Sequence, residues 1–277
     1  MSNISASLVK ELRDKTGAGM MDCKNALNEN NGDIESSIDW LRTKGLAKAA
    51  KKSGRVASEG LIAISSSDNF SAIVEVNSET DFVSRNEEFQ KLVSNVLDVA
   101  ITEKGDFNSI TNKSKDIMNE AVGKIGENIV LRRSEYLEGN VHSYIHNSLA
   151  EGLGKIGVIL LLNSDKHLDL SEIGKNLCMH IAASSPKSIS RNDLDDSIIN
   201  SEKEIIVQQL KDSDKPDNIL SKMIKGKLNK YLEEIILMKQ KYVINPELNI
   251  EKYLDQESSN KDTQINIEKF IRFEIGK

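Results

Sequence analysis

The chain has 277 residues, 38% hydrophobic and 29% charged, with a formal net charge of -6. That length supports two or three hydrophobic cores, and the acidic balance argues against a broad nucleic-acid surface. Only 4% of the residues are aromatic, which also argues against platforms for stacking bases.

The N-terminus passes directly into a helical pattern, with neither a signal h-region nor an Arg-rich transit peptide. Leu8, Val9 and Leu12 predict a helix over residues 5–15, capped by Ser5 or Ser7. Thr16-Gly17-Ala18-Gly19 breaks it. A second helix over 21–30 turns Cys23, Ala26 and Leu27 inward. After a turn at Asn31-Gly32-Asp33, a third carries Ile34, Ile38 and Leu41. Three short helices in about fifty residues predict a ubiquitin-associated-like bundle, a docking module rather than a catalyst. Residues 45–55 are small and basic, closed by glycine, and read as a solvated linker with room for some helix. The acidic balance elsewhere opposes a nucleic-acid role for those lysines.

From Glu59 the period changes to two. Strands over 61–65 and 70–76, joined by Ser66-Ser67-Asp68-Asn69, predict a β-hairpin. The chain then turns at Thr80-Asp81-Phe82. Phe89, Leu92, Val93, Val96 and Leu97 mark an amphipathic helix, Ile117, Ala121 and Ile125 another, and 128–137 a third strand. The order recurs: strands over 141–145 and 157–162, a helix with Leu170, Ile173, Leu177, Ile181 and Ala182, and a last strand over 267–275. An excursion interrupts this second half. Leu194, Ile198, Ile205 and Leu210 repeat at helical spacing, and the chain turns at Asp214-Lys215-Pro216-Asp217-Asn218. Leu220, Met223, Ile224, Leu228, Tyr231 and Ile235 repeat on the way back. This predicts a projecting helical hairpin, an antiparallel coiled coil that serves either as a bundle arm or as a partner contact. The expected class is α+β. Its parts are a bundle with basic linker (1–55), a first antiparallel half (56–139), a related second half (140–190 and 237–277) and the inserted hairpin (191–236).

Catalytic chemistry finds little support. Gly152-Leu153-Gly154-Lys155-Ile156-Gly157 matches the dinucleotide pattern GxGxxG by letters, but leads into the strand Val158-Ile159-Leu160-Leu161-Leu162 rather than a helix N-terminus. There is no phosphate loop of the GxxxxGK[ST] type, no HExxH and no CxxC pair. His142 and His146 share a strand face with Tyr144 and lack a third ligand, so no metal is expected. Asp81 with Glu79 or Glu75 has no nucleophile beside it. Cys23 and Cys178 carry no local sign of activation and fit reduced thiols. No run of about 18 apolar residues occurs, so nothing spans a membrane and the expected location is the cytoplasm. No cofactor and no covalent chemistry are expected. What remains is the turn at 79–85, where a large apolar side chain sits beside a carboxylate on a solvent-facing connection. Phe82 there is either a probe that enters another molecule or a staple folded back at the start of the next helix.

Two long segments decide between classes. Leu12-Arg13-Asp14-Lys15-Thr16-Gly17-Ala18-Gly19-Met20-Met21-Asp22-Cys23-Lys24-Asn25-Ala26-Leu27 and Glu75-Val76-Asn77-Ser78-Glu79-Thr80-Asp81-Phe82-Val83-Ser84-Arg85 resemble the two signatures of the bacterial elongation factor Ts family. Gly126-Glu127-Asn128-Ile129, Ser143-Tyr144-Ile145-His146, Met179-His180-Ile181-Ala182-Ala183-Ser184 and Phe270-Ile271-Arg272-Phe273-Glu274 are similar to further family segments, in family order. The resemblance implies a guanine nucleotide exchange factor in translation elongation. Its partner would be elongation factor Tu, GDP-bound or nucleotide-free, with no direct nucleic-acid contact. It further implies that Arg13, Met20 and Met21 dock on the GTPase domain, and that Thr80, Asp81, Phe82 and Val83 disturb the partner's magnesium and nucleotide site. His146 would touch another domain of the partner. A contact through a C-terminal tail beyond Phe273-Glu274-Ile275-Gly276, and a homodimer or 2:2 complex, stay open. The competing readings are a non-catalytic adaptor working through its bundle and a small-molecule enzyme resting on the GxGxxG letters alone.

Overall fold

A computed structural model describes residues 4–67, 69–166, 168–211 and 216–277. Asp68 of the expected hairpin turn, Asp214 and Lys215 of the later one, and the side chains of Leu46, Lys48, Ala49 and Ala50 lie outside the described residues. The fold is α+β.

The first three helices are α1 (Ala6–Thr16), α2 (Met20–Glu29) and α3 (Ile34–Lys52). Ser5 caps α1 by accepting from the Leu8 N–H, and Gly17 ends it in the left-handed region. Val9, Leu12, Cys23, Ala26 and Leu27 form the core of this group. The stretch read as a solvated linker with some helix is helical for most of its length: α3 runs through Gly45 as far as Lys52 and lies against a helix of the body, α5 (Phe107–Ile125). The glycines explain how. A Cβ on Gly123 of α5 would sit 3.4 Å from the Gly45 Cα, so small residues let the two backbones approach. Arg42 pairs with Asp116 at 3.3 Å, and Lys52 donates to the Gly126 carbonyl.

The body is built on two antiparallel sheets. Strands β1 (Glu59–Ser67), β2 (Phe70–Ser78), β3 (Val130–Glu138) and β5 (Leu153–Gly154) make the first, in the order β3-β2-β1-β5. Strands β4 (Asn140–His146), β6 (Ile156–Ser164) and β7 (Ile265–Glu274) make the second, in the order β4-β6-β7. One face of the first sheet, with Leu61, Ala63, Ala72, Val74 and Val76, packs on α4 (Glu87–Thr102) and α5. Its other face, with Ile62, Ile64 and Ile73, meets Val141, Ile159 and Phe273 of the second sheet. Val158, Leu160 and Leu162 then face α6 (Ser171–Ser184) and α9 (Ile250–Asn260). The order through the body is helix, sheet, sheet, helix. Because both faces of β1 and β2 are covered, both strands are buried almost continuously rather than alternately.

Helices α7 (Asp196–Leu210) and α8 (Asp217–Ile235) pack against each other over Leu194, Ile199, Leu232, Ile235 and Ile236. Ile205, read as part of the apolar stripe, is half exposed, and its neighbour Ile206 takes the inward position. Helix α9, which the apolar spacing did not single out, buries Ile250, Tyr253 and Leu254 and is capped by Asn249.

The glycines of the GxGxxG letters belong to this architecture. Gly154 lies in β5, paired with Ile62 of β1. A Cβ on Gly157 would come within 2.6 Å of Ile62 Cγ2 and 3.0 Å of Ile73 Cδ1, in the seam between the sheets. By contrast, Gly226 of α8 faces open space. Gly157→Ala is therefore expected to destabilise the fold by about 1–3 kcal/mol through overpacking. Gly226→Ala should stabilise it by about 0.5–1 kcal/mol through helix propensity. Urea midpoints of the two variants should move in opposite directions.

Candidate functional site

Where β2 ends at Ser78 the chain crosses Glu79 and Thr80 and enters one turn of 3-10 helix, Asp81–Arg85. Asn86 follows as the cap of α4, accepting from the Glu88 and Phe89 N–H groups at 2.8 and 3.3 Å. Phe89 is fully buried, and Val83 and Ser84 are buried with it. The Ser84 hydroxyl donates to the Gly60 carbonyl at 3.0 Å. The Lys155 ammonium donates to Ser84 Oγ, the Gly60 carbonyl and Glu59 at 3.1, 3.0 and 3.2 Å, which uses all three of its protons.

Between these anchors Phe82 is 81% exposed, so it is not folded back into its own core. Val83 is the apolar residue of the turn that points inward; it belongs to the core over α4. Asp81 is exposed, and its side chain makes no ion pair or hydrogen bond among the described residues. Thr80 is held from the opposite side. The Glu127 carboxylate accepts from the Glu79 and Thr80 N–H groups at 3.0 Å each and from the Thr80 hydroxyl at 2.6 Å. Glu79 in turn accepts from the Asn128 N–H at 2.6 Å and pairs with Arg55 at 3.5 Å.

Glu75 and Glu79 are thus not an acid/base pair with Asp81. Glu75 is fully buried, accepting from Arg133 Nε at 2.6 Å and from Asn77 Nδ2 at 3.0 Å. A register shift between Glu75 and Val76 places Arg132 as the extra residue of a β-bulge and sets Arg133 opposite the carboxylate. The Arg133 guanidinium also lies over the Phe273 ring at 4.2 Å.

The remaining predicted site residues stand on separate elements. Arg13 is exposed on α1, and Met20 and Met21, 58% and 67% exposed, open α2. His146 is exposed at the end of β4, its Nδ1 3.2 Å from the Tyr144 hydroxyl, with half-exposed Leu149 just beyond. Among the described residues, no group of three or more His, Cys, Asp or Glu could hold a metal ion. Both cysteines are buried and unpaired, and burial pushes their thiols up. Glu127 and Lys155 escape a reading by local spacing, because their partners lie 47 and 71 or more residues away in sequence.

Two histidines are structural. His180 Nδ1 accepts from the Val243 N–H at 3.3 Å, which leaves the ring proton on Nε2, donated to Gln240 Oε1 at 3.0 Å. Burial lowers its pKa, opposed by the Gln240 hydrogen bond. His142 presses on Gly174 of α6, and its Nε2 is buried with no partner among the described residues. Burial lowers its pKa, opposed by Asp169.

Comparison with known proteins connects these features. The profile of the family described as "Elongation factor TS" matches residues 79–277. The chain is 46% identical to the elongation factor Ts of Parvibaculum lavamentivorans, with 100% of this chain and 94% of that protein covered. It is 44% identical to that of Allorhizobium ampelinum, with the same shares covered. It is 48% identical to that of Paracoccus denitrificans, with 89% and 86% covered. The first two alignments take in the N-terminal helices, which precede the profile match.

The two lowered histidine values carry a pH dependence. A ring kept neutral in the fold binds its proton more readily once unfolded, so unfolding takes up protons below the ordinary value of 6.5. The melting temperature is expected to fall between about pH 7.5 and about pH 5.5, and the His142 and His180 ring resonances should titrate below about 6.5 by proton NMR.

Proposed function

The chain belongs to the elongation factor Ts family, and from that premise we propose that it is a guanine nucleotide exchange factor for elongation factor Tu, promoting GDP release so that GTP can rebind. GDP on such a GTPase is held by backbone amides around its phosphates and by a bridging Mg²⁺. Exchange requires no covalent chemistry from the factor. It requires that the factor bind the nucleotide-free partner better than the GDP-bound one, and linkage then weakens GDP by the same factor. Each step of about 1.4 kcal/mol in that preference is tenfold in affinity.

The observation that carries the reading is an 81% exposed phenylalanine on a turn whose two flanks are fastened. An exposed ring on a mobile loop would lose much of its burial energy to ordering; here the order is already present. Inserting the Phe82 ring between partner helices gains roughly 2–3 kcal/mol, available only once those helices have moved aside. Asp81, exposed beside it with no side-chain partner among the described residues, is left to meet a polar group next to the partner's magnesium. Thr80 and Val83 act on that site by supporting the turn, Thr80 through Glu127 and Val83 through the core. Met20 and Met21 at the start of α2 offer a flexible apolar surface and Arg13 of α1 a cation, suited to docking on the GTPase domain. His146 and Leu149 offer a second contact, so the factor stays seated while the ring enters.

Phe82→Ala is expected to slow release of a fluorescent GDP analogue from the partner by about tenfold or more without changing the melting temperature. Equal rates for the two proteins would remove the ring from the mechanism. Replacing Met20 and Met21 together by alanine should instead raise the half-saturating concentration by about tenfold and leave the maximal release rate unchanged. A fall confined to the maximal rate would contradict the docking role.

A further inference from the structure

We infer that Glu127 is a positioning residue of the exchange reaction, the group that aims the Phe82 turn at the GTPase; the inference rests on the exchange-factor reading above. The residue lies between α5 and β3, half-buried, and is the acceptor of three hydrogen bonds from two consecutive residues of the turn. Strand pairing to β3 stops at Asn77, opposite Val130, so the N–H groups of Glu79 and Thr80 have no place in that ladder. At this half-exposed point such donors are left to water or to a side-chain acceptor. Glu127 Oε2 takes both at 3.0 Å, and Oε1 takes the Thr80 hydroxyl at 2.6 Å. Bonds to an ionised carboxylate are about twice as strong as neutral ones. The neighbouring Asn128 N–H bonds back to Glu79 Oε1 at 2.6 Å, so the two connections grip each other.

The turn therefore has two moorings. The downstream one, Val83 and Ser84 with Gly60 and Lys155, belongs to the hydrophobic body. The upstream one is Glu127. Phe82 lies between them and is largely free of its own protein, so its direction depends on both. Removing the upstream mooring leaves the core, the caps and the downstream bonds in place. The fold survives while the ring's aim is lost, which separates positioning from folding.

The test is Glu127→Gln in the full-length chain. The amide keeps a single acceptor oxygen and no charge, so the bonds to the Glu79 and Thr80 N–H groups lose the charge assistance of the carboxylate, and the Thr80 hydroxyl must reverse its role to meet an N–H. GDP release is measured over a range of factor concentrations. The maximal rate is expected to fall about tenfold, because misplacement acts on the step at which the ring enters. The half-saturating concentration should hold within about twofold, because docking uses other surfaces. In the free variant, the Glu79 and Thr80 amides should exchange with deuterium at least about tenfold faster. Combined with Phe82→Ala, Glu127→Gln should add little further slowing, because it acts through the ring. An unchanged maximal rate, unchanged amide exchange, or full additivity with Phe82→Ala would overturn the inference. If Phe82→Ala alone releases GDP at full speed, the ring lever itself fails. The amide exchange then still reports whether Glu127 holds the turn.

Discussion

Strand β2 is covered on one face by α4 and α5 and on the other by the second sheet, and this double burial governs where the working turn can be. A strand enclosed in this way cannot slip by one residue without carrying its isoleucines and valines to the wrong neighbours, so its last residue emerges at one place. The single charged group within it, Glu75, reinforces this register. A buried carboxylate is costly unless paired, and its partner Arg133 reaches it because the bulge at Arg132 shifts the pairing. Arg133 continues over the Phe273 ring of β7 and donates to the Glu274 carbonyl at 3.3 Å, so one ion pair also fastens the two sheets together.

From that fixed exit the turn at 79–85 inherits its geometry. Apolar side chains pull Val83 and Phe89 inward, while carboxylate and hydroxyl bonds hold the polar residues on either side. Phe82 is left outside. In a chain with few aromatic residues, Phe89 and Phe273 serve the cores, and Tyr242 and Tyr253 stack at 4.3 Å. A phenylalanine withheld from those cores in an otherwise well-anchored turn is the feature that the proposed exchange reaction uses.

The elements with strong local periodicity were legible in the amino-acid sequence. Phe89, Leu92, Val93 and Val96 announce α4, and the branched run at 70–76 announces β2, because burial of one helical stripe or one strand is written in neighbouring residues. The exposure of Phe82 was readable only as one of two alternatives, since the same letters suit a staple. Features that depend on distant partners were not legible. Gly45 reads as the first residue of a linker until Gly123 of α5 is seen lying against it. The pattern of α7 placed Ile205 inward, where the fold buries its neighbour Ile206 instead. Leu153 and Gly154 are too short a strand to register by alternation, and join β1 only because the second sheet brings them there. Glu127 falls in a segment similar to the family, but nothing in its neighbourhood gives it a role; that lies in two amides and a hydroxyl far upstream.

The helical excursion leaves and rejoins the body through a single doorway. The Lys187 N–H bonds to the Ile235 carbonyl at 2.8 Å, the Leu237 N–H bonds to the Ser188 carbonyl at 2.9 Å, and Ser188 pairs with Ile236 as a lone parallel bridge. The two edges of the doorway are tied to each other whatever hangs beyond them. Loop-closure entropy grows only slowly with the length enclosed. Descendants of such a chain can therefore lengthen, trim or discard the arm while both sheets and the Phe82 turn remain as they are, so this is the part of the molecule where lineages are free to diverge in size.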